Sequence, residues 1–139
     1  MAANTSPIFL LTGNFTPARI AAANTASDGS GALVTVVTAG TDGSRVDGVR
    51  FRNSQASAAL SSNMVMRIFL SDTGGANYRL VGEVTLAAAT RSATVVGATS
   101  IFTFDQPIIM QSGQIMAVTQ SVYAGVQDQN DAVAYAGNY

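Results

Sequence analysis

The chain contains no histidine, cysteine, tryptophan or lysine, and only 11% of its 139 residues are charged. An average soluble domain carries about 25% charged residues. These absences exclude Ser-His-Asp and Cys-His nucleophiles, zinc sites built from His or Cys, Schiff-base lysines and disulfide frameworks. We therefore expect a protein that is not an enzyme and that holds no cofactor and no metal ion.

Positive charge is scarce and spread along the sequence. The chain has seven arginines, and seven aspartates together with Glu83 outnumber them, so the net charge is −1. Binding to nucleic acid relies on clustered cations, so we expect no nucleic-acid partner. No window approaches the roughly 18 consecutive apolar residues of a membrane span, and the first residues lack the features of a signal peptide. The sequence predicts synthesis in the cytoplasm and no membrane partner.

Short apolar and β-branched runs recur about every 8–12 residues, separated by Gly, Asn, Asp and Ser, a rhythm that is typical of all-β proteins. It predicts a single domain over residues 1–139, folded as a two-sheet antiparallel sandwich of about eight or nine short strands. The predicted strands are 8–11, 19–23, 32–39, 45–52, 64–70, 78–86, 101–105, 115–122 and 132–137.

Two of these strands carry unusual patterns. In 45–52 the alternation places Arg50 and Arg52 side by side on the outer face, and Gly48 predicts a bulge or a close backbone approach. In 64–70 both faces are largely apolar. That strand is expected to be central, or to be covered by a neighbouring subunit.

The connections have the residues of tight turns. Asp-Gly steps in 28–31 and 41–44 predict reversals between strands, and 111–114 predicts a further hairpin. Pro107 is expected to end a strand, because proline cannot donate to a β-ladder. The Ser- and Ala-rich stretch 53–63 is interpreted as a crossover loop or a short helix.

Two motifs have both a functional and a structural interpretation. Residues 72–74 spell Asp-Thr-Gly, the signature of aspartic proteases, but a hairpin loop explains every residue of this stretch and is the favoured interpretation. Residues 128–131 bring oxygen-bearing side chains together in one loop, which a calcium ion could use, but the loop lacks the roughly six to eight ligands of such a site and a polar turn is favoured. Arg67 and Glu83 are expected to form a cross-strand ion pair.

Both chain ends are apolar, whereas chain ends are usually polar and frayed. The C-terminal strand, about 132–139, reads as a strand that needs a partner, and its tyrosines are of the kind enriched in interfaces. An N-terminal arm, about 1–12, is similarly apolar. We expect both segments to lie in subunit contacts, with Ile8, Phe9, Leu10, Tyr135 and Tyr139 as candidate interface residues.

Turns and strands over most of the chain share one further pattern, in residues 4–9, 19–31, 38–47, 65–72, 78–80 and 134–139. With these segments the chain resembles a family of small structural proteins encoded in tailed-bacteriophage genomes. The resemblance implies a sandwich of jelly-roll type and a place in the virion, on the capsid exterior, after synthesis in the host cytoplasm. It implies the function of a capsid decoration, or cement, protein.

The expected function is therefore non-enzymatic: the protein bridges and stabilises neighbouring major capsid subunits. It is expected to be a homo-oligomer, with a homotrimer favoured and a homodimer as the alternative. Arg50, Arg52 and Arg67 are the arginines expected to set the register of these contacts through bidentate pairs. The alternative is a phage tail or head-fibre domain that binds host surface glycans with its loops. It would use Tyr78 and Tyr123, the tyrosines that flank loops.

Overall fold

Nine β-strands form the regular structure of the computed structural model, which describes residues 10–55 and 59–139. A single 3-10 turn, Val126–Asp128, precedes the last strand. The strands are β1 Thr12–Gly13, β2 Ala18–Ile20, β3 Val34–Thr38, β4 Ser44–Asn53, β5 Met64–Leu70, β6 Arg79–Leu86, β7 Thr99–Met110, β8 Ile115–Gln120 and β9 Asn130–Asn138.

The strands form two antiparallel sheets. One has five strands in the order β1-β9-β4-β7, with β2 also paired to β9, and the other has four in the order β3-β8-β5-β6. From β2 to β9 every connection crosses between the sheets except the β5–β6 hairpin. This is the strand order of a jelly roll, so the predicted all-β sandwich is confirmed.

The core lies between the sheets and is filled by the inward-facing residues of both. Val46, Val49 and Phe51 of β4 meet Met66 and Ile68 of β5, and all five are fully buried. Val46 and Val49 are three residues apart, which strict alternation does not allow. The register of β4 shifts between Val46 and Gly48 against both of its neighbours, and this bulge restores the inward direction.

Pro107 does not end a strand, contrary to the prediction from the sequence. The strand β7 continues through Pro107 to Met110, so that the predicted run 101–105 and the residues after it form one element. The register jumps from Gly48 opposite Thr103 to Val46 opposite Ile108, which leaves Pro107 outside the ladder. Because β7 is also the edge strand of its sheet, a residue without an N–H is tolerated there.

The predicted turns are present, but they join different sheets. Gly29, Gly31 and Gly43 have positive φ, as Asp-Gly reversals require. Residues 111–114 connect β7 of one sheet to β8 of the other, so the hairpin predicted there is wrong. Turn residues specify a local reversal of the backbone and carry no information about which strand becomes the partner.

The two least regular segments also differ in detail from expectation. The described part of 53–63 contains no helix, in agreement with a crossover loop, and residues 56–58 lie outside the described residues. In the strand predicted over 8–11, Ile8 and Phe9 lie outside them as well. Leu10 and Leu11 precede β1 and are not part of a strand.

The strand β5 is central, between β8 and β6, and its outer face is covered by the chain itself. The β2–β3 connection passes over this face, where the carbonyl oxygens of Asn24 and Thr25 accept hydrogen bonds from Arg67 at 3.4 and 3.3 Å. Phe69 lies on the same face of β5 and is fully buried. The double apolar pattern of this strand is thus explained without a neighbouring subunit.

Candidate functional site

The outer face of the five-stranded sheet carries two arginines from β4. Arg50 and Arg52 alternate with Val49 and Phe51, which are buried in the core, so both guanidinium groups emerge on the outside. The prediction that they lie side by side is confirmed, because both line one groove. We call this surface the arginine face, defined by Arg19, Arg50, Arg52, Asp131 and Val133.

The groove on the arginine face has a volume of about 420 Å³ and is lined by Pro17, Ala18, Arg19, Arg50, Arg52, Asp131 and Val133. Across the sheet, β9 brings Asp131 opposite both Arg52 of β4 and Arg19 of β2. The Asp131 carboxylate pairs with Arg19, at 3.2 Å from Oδ1 to Nε. Three arginines against one aspartate give the lining a net charge of +2.

The guanidinium groups of Arg50 and Arg52 are available for a partner. Within the described residues neither one forms an ion pair or donates a hydrogen bond. An arginine in this state can still offer the planar pair of N–H groups that binds a carboxylate or a phosphate. The groove therefore presents two free anion-binding groups.

Apolar side chains surround these arginines. Ile101 lies directly opposite Arg50 on β7 and is 53% exposed, while Val133 flanks Arg50 on the β9 side. A second depression of about 220 Å³ continues past Arg52, where Arg91 and the exposed Val95 and Val96 line it. The surface thus combines cationic with apolar groups.

Of the other candidate residues, Tyr135 and Leu10 lie on this same outer side. Tyr135 follows Val133 by two residues on β9 and is 41% exposed. Leu10 packs over Gly137, two residues further along, where a Cβ would lie 3.1 Å from its side chain. Tyr139 is half-buried, and its backbone N–H donates to the carbonyl of Gly43 at 3.3 Å. The candidates Ile8 and Phe9 lie outside the described residues.

Arg67 lies on the other sheet, away from Arg50 and Arg52. Its Nε is 2.8 Å from Oε1 of Glu83, which confirms the predicted cross-strand pair. The guanidinium also donates to the β2–β3 connection, and its side chain is only 15% exposed. The structure gives Arg67 contacts within the chain.

The C-terminal strand has its backbone partners within the chain. The strand β9 pairs with β4 over nearly its whole length on one side and with β1 and β2 on the other. The apolar alternation of Ala132 and Ala134 reflects burial in the core. The terminal segment therefore needs no strand from another molecule, which corrects the interpretation of an unpaired end.

The Asp-Thr-Gly motif forms the predicted hairpin loop between β5 and β6. Oδ1 of Asp72 accepts hydrogen bonds from the backbone N–H of Gly74 and Ala76, both at 3.0 Å. Oδ2 accepts a third from the side chain of Asn77 at 2.6 Å. The bonds from Ala76 and Asn77 hold the pKa of the Asp72 carboxyl below its usual value. A protease dyad shares a proton between two carboxyls, which raises the pKa of one of them.

Asp128 proves to be a buried structural group, which the sequence did not reveal. Its carboxylate accepts hydrogen bonds from the backbone N–H and hydroxyl of Ser62, at 2.7 and 3.0 Å, and from the N–H of Ala124 at 2.7 Å. Asn130 points into the core and Asp131 points outward. The side chains of Asp128, Asn130 and Asp131 thus diverge, and the described residues hold no cluster of three metal-binding side chains.

The two tyrosines of the glycan-binding alternative lie at opposite ends of the four-stranded sheet. Tyr78 follows the β5–β6 loop at the end of β5 where Leu70 faces Met116, and Tyr123 follows the opposite end of β8. Both side chains are half-buried. They do not form a shared aromatic platform.

The chain shows no match to protein-family models, to curated proteins or to solved structures. Within the described residues, no helix has the length and apolar character needed to span a bilayer.

Proposed function

We propose that the chain is a non-enzymatic structural protein of a virion: a capsid decoration, or cement, protein that bridges neighbouring major capsid subunits from the outside. The observation that carries this proposal is the arginine face, where free guanidinium groups stand beside exposed apolar side chains. Arginine and tyrosine are enriched in protein interfaces, and both are present on this side of the sheet.

The position of the arginine face suits a docking platform. Arg50 and Arg52 belong to β4 and Val133 belongs to β9, the two strands that are paired on both sides in the five-stranded sheet. The backbone of such strands positions its side chains more precisely than a loop does. A rigid backbone needs no ordering on binding, which favours affinity.

The carboxylates that suggested other functions serve the fold. Asp72 accepts hydrogen bonds from its own turn, and Asp128 holds two loop segments together. Their hydrogen-bonding capacity is used by the chain itself. This supports a binding role over a catalytic one for the exposed polar groups.

The proposed mechanism is stabilisation by mass action. A protein that binds the assembled lattice and not its free subunits stabilises the lattice by RT ln(1 + [L]/Kd) per site. A bridging site exists only where two subunits meet, so each half-site binds weakly and the pair binds strongly. Many small contributions add up over the copies on one capsid.

The test mixes purified protein with undecorated heads and, separately, with free major capsid subunits of the phage that encodes the chain. We expect co-sedimentation with the heads, little binding to free subunits, and a higher temperature of head disruption at saturation. The double variant Arg50→Gln/Arg52→Gln should bind heads at least about tenfold more weakly. Arg45→Gln/Arg79→Gln removes the same charge away from the groove and should bind normally.

Equal binding to heads and free subunits, or no gain in head resistance, would contradict the proposal. In that case the tail or head-fibre alternative predicts binding to host surface polysaccharide. That binding should be lost in Tyr78→Ala or Tyr123→Ala and kept in the arginine variants.

A further inference from the structure

We infer that the groove of the arginine face binds an acidic polypeptide segment in extended conformation, with two acidic side chains spaced two residues apart. The inference rests on the proposed function in one respect, because it assigns this segment to the capsid subunit. The binding chemistry itself follows from the groove and can be measured without capsids.

The spacing follows from the geometry of β4. Arg50 and Arg52 are two residues apart on one strand, so their Cα atoms are about 6.7 Å apart along it. An extended peptide has the same repeat, and its side chains at positions i and i+2 point to the same side. An Asp-x-Asp or Glu-x-Glu segment running along β4 therefore places one carboxylate over each arginine. Two adjacent acidic residues would point to opposite sides.

The charges in the groove favour two carboxylates. Arg19 already pairs with Asp131, so the cationic groups without a partner are Arg50 and Arg52. Each guanidinium can take one carboxylate with two parallel N–H···O bonds. A bound segment carrying two acidic groups would neutralise the net charge of +2 on the groove lining.

Apolar contacts extend the site beyond the charges. Past Arg52 the surface continues to the exposed Val95 and Val96. A side chain two residues beyond the second carboxylate lies on the same side of an extended peptide and reaches this end. An apolar residue at that position would remove Val95 and Val96 from water, so a segment that runs parallel to β4 has the preferred pattern acid-x-acid-x-apolar.

The same charges argue against a second copy of the chain docked face to face. Such a pair would bring four free guanidinium groups together without a compensating carboxylate, since each Asp131 is paired with its own Arg19. Like charges placed opposite each other in an interface are destabilising. Nucleic acid is disfavoured by the net charge of −1 on the whole chain.

The experiment measures the affinity of capped six-residue peptides by calorimetry at low salt. The first peptide is Thr-Asp-Thr-Asp-Thr-Val, and the control, Thr-Thr-Asp-Asp-Thr-Val, has the same composition with adjacent aspartates. Six residues are too few for a stable helix, so spacing is compared in extended chains. We expect the first peptide to bind at least about threefold more tightly, and the affinity to fall as salt is added.

Variants locate the binding in the groove. Arg50→Gln/Arg52→Gln should lose at least about tenfold in affinity, and Arg45→Gln/Arg79→Gln, which has the same net charge, should stay within about twofold. All four replaced arginines are partly or fully exposed to solvent, so the fold should tolerate their substitution. Thermal unfolding of each variant checks that the fold is kept.

Four results would overturn the inference. Equal affinity for both peptides would refute the spacing, and equal losses in the two double variants would show a net-charge effect only. Tighter binding of a short oligothymidylate than of the peptide would indicate nucleic acid. If heads bind and the peptide does not, the acidic segment is refuted while the proposed function stands; if the peptide binds and heads do not, the proposed function is refuted and the groove assignment stands.

Discussion

Among the polar residues, Asp128 is fully buried and ties two loops together. Its carboxylate connects Ser62, before β5, to Ala124, after β8. The loss of this carboxylate leaves the part-buried backbone N–H groups of Ser62 and Ala124 without their acceptor, and each unsatisfied donor costs up to about 1–3 kcal/mol. The residue thus determines how one end of the sandwich is closed.

We expect Asp128→Ala to lower the free energy of unfolding by about 3 kcal/mol, because two backbone donors lose their acceptor. Urea unfolding followed by circular dichroism measures this change. Asp105→Ala, which removes an exposed carboxylate from β7, is the control and should change it by less than about 0.5 kcal/mol. Equal stability of the two variants would show that water replaces the lost acceptor.

The pH dependence of stability depends on the turn carboxylates. Hydrogen bonds lower the pKa of Asp72, chiefly from Ala76 and then Asn77, and lower that of Asp28 through Ser30. A depressed folded-state pKa means that stability is present above the unfolded pKa, near 3.9, and is lost as the pH falls through the folded value. Between pH 6 and 8, without histidine or cysteine, stability should hardly change.

Asp72→Asn should therefore be less stable than the parent protein at pH 6 and equally stable at the lowest pH, where the parent carboxyl is protonated. Melting temperatures between pH 2 and 7 provide the test. Asp42→Asn, on the 41–44 turn, is the matched control for the loss of one carboxylate. A difference between Asp72→Asn and the parent that stays constant at every pH would rule out this linkage.

At the scale of elements, the alternation of apolar and polar residues predicted where most strands lie, but it did not predict which strands pair with each other. The inward residues of β5, and the outward direction of Arg50 and Arg52, follow from a period of two that each strand carries in its own sequence. That the 111–114 turn crosses from one sheet to the other does not follow from the sequence, because a turn encodes only a local reversal of the backbone. Asp128 was missed for a similar reason: its partner Ser62 is 66 residues away.

The bulge in β4 gives a prediction for Gly48, where the sequence correctly indicated a bulge or a close backbone approach. A Cβ at this position would lie 2.4 Å from the carbonyl oxygen of Phe102, a backbone atom that cannot move aside. Gly48→Ala should lower the free energy of unfolding by about 2 kcal/mol. Gly74→Ala is the control, since the nearest atom there is a side-chain oxygen of Asp72 at 3.3 Å. Equal effects of the two substitutions in urea unfolding would contradict the close approach.

The C-terminal strand β9 is part of the fold, because it pairs with β4 on one side and with β1 and β2 on the other. Removal of residues 134–139 takes away the part of β9 that lies between β4 and β1, together with the buried Ala134. The truncated chain should show no cooperative thermal unfolding, whereas removal of Tyr139 alone should leave a transition. A wild-type melting temperature after the longer truncation would mean that β4 needs no neighbour on that side.

At the scale of the whole molecule, self-association and partner binding are expected to use different surfaces. The arginine face repels an identical face, whereas the region around β1 exposes Leu11, at 77%, and Phe15. This region belongs to the apolar N-terminal end and carries no arginine. The oligomer predicted from the sequence is therefore expected to form through this surface around Leu11 and Phe15, which we call the N-terminal edge. Such a contact leaves the groove open.

Sedimentation at micromolar concentration tests this arrangement. We expect the protein to sediment with a mass two or three times that of the 14.2 kDa chain. Leu11→Ser should shift it towards the monomer without changing the affinity for the acid-x-acid peptide, because Leu11 is not part of the groove lining. Val126→Ser is the control, since Val126 is also exposed but precedes the opposite end of β9. A parent protein that sediments as a monomer would contradict self-association, and equal dissociation by both variants would contradict its placement at the N-terminal edge.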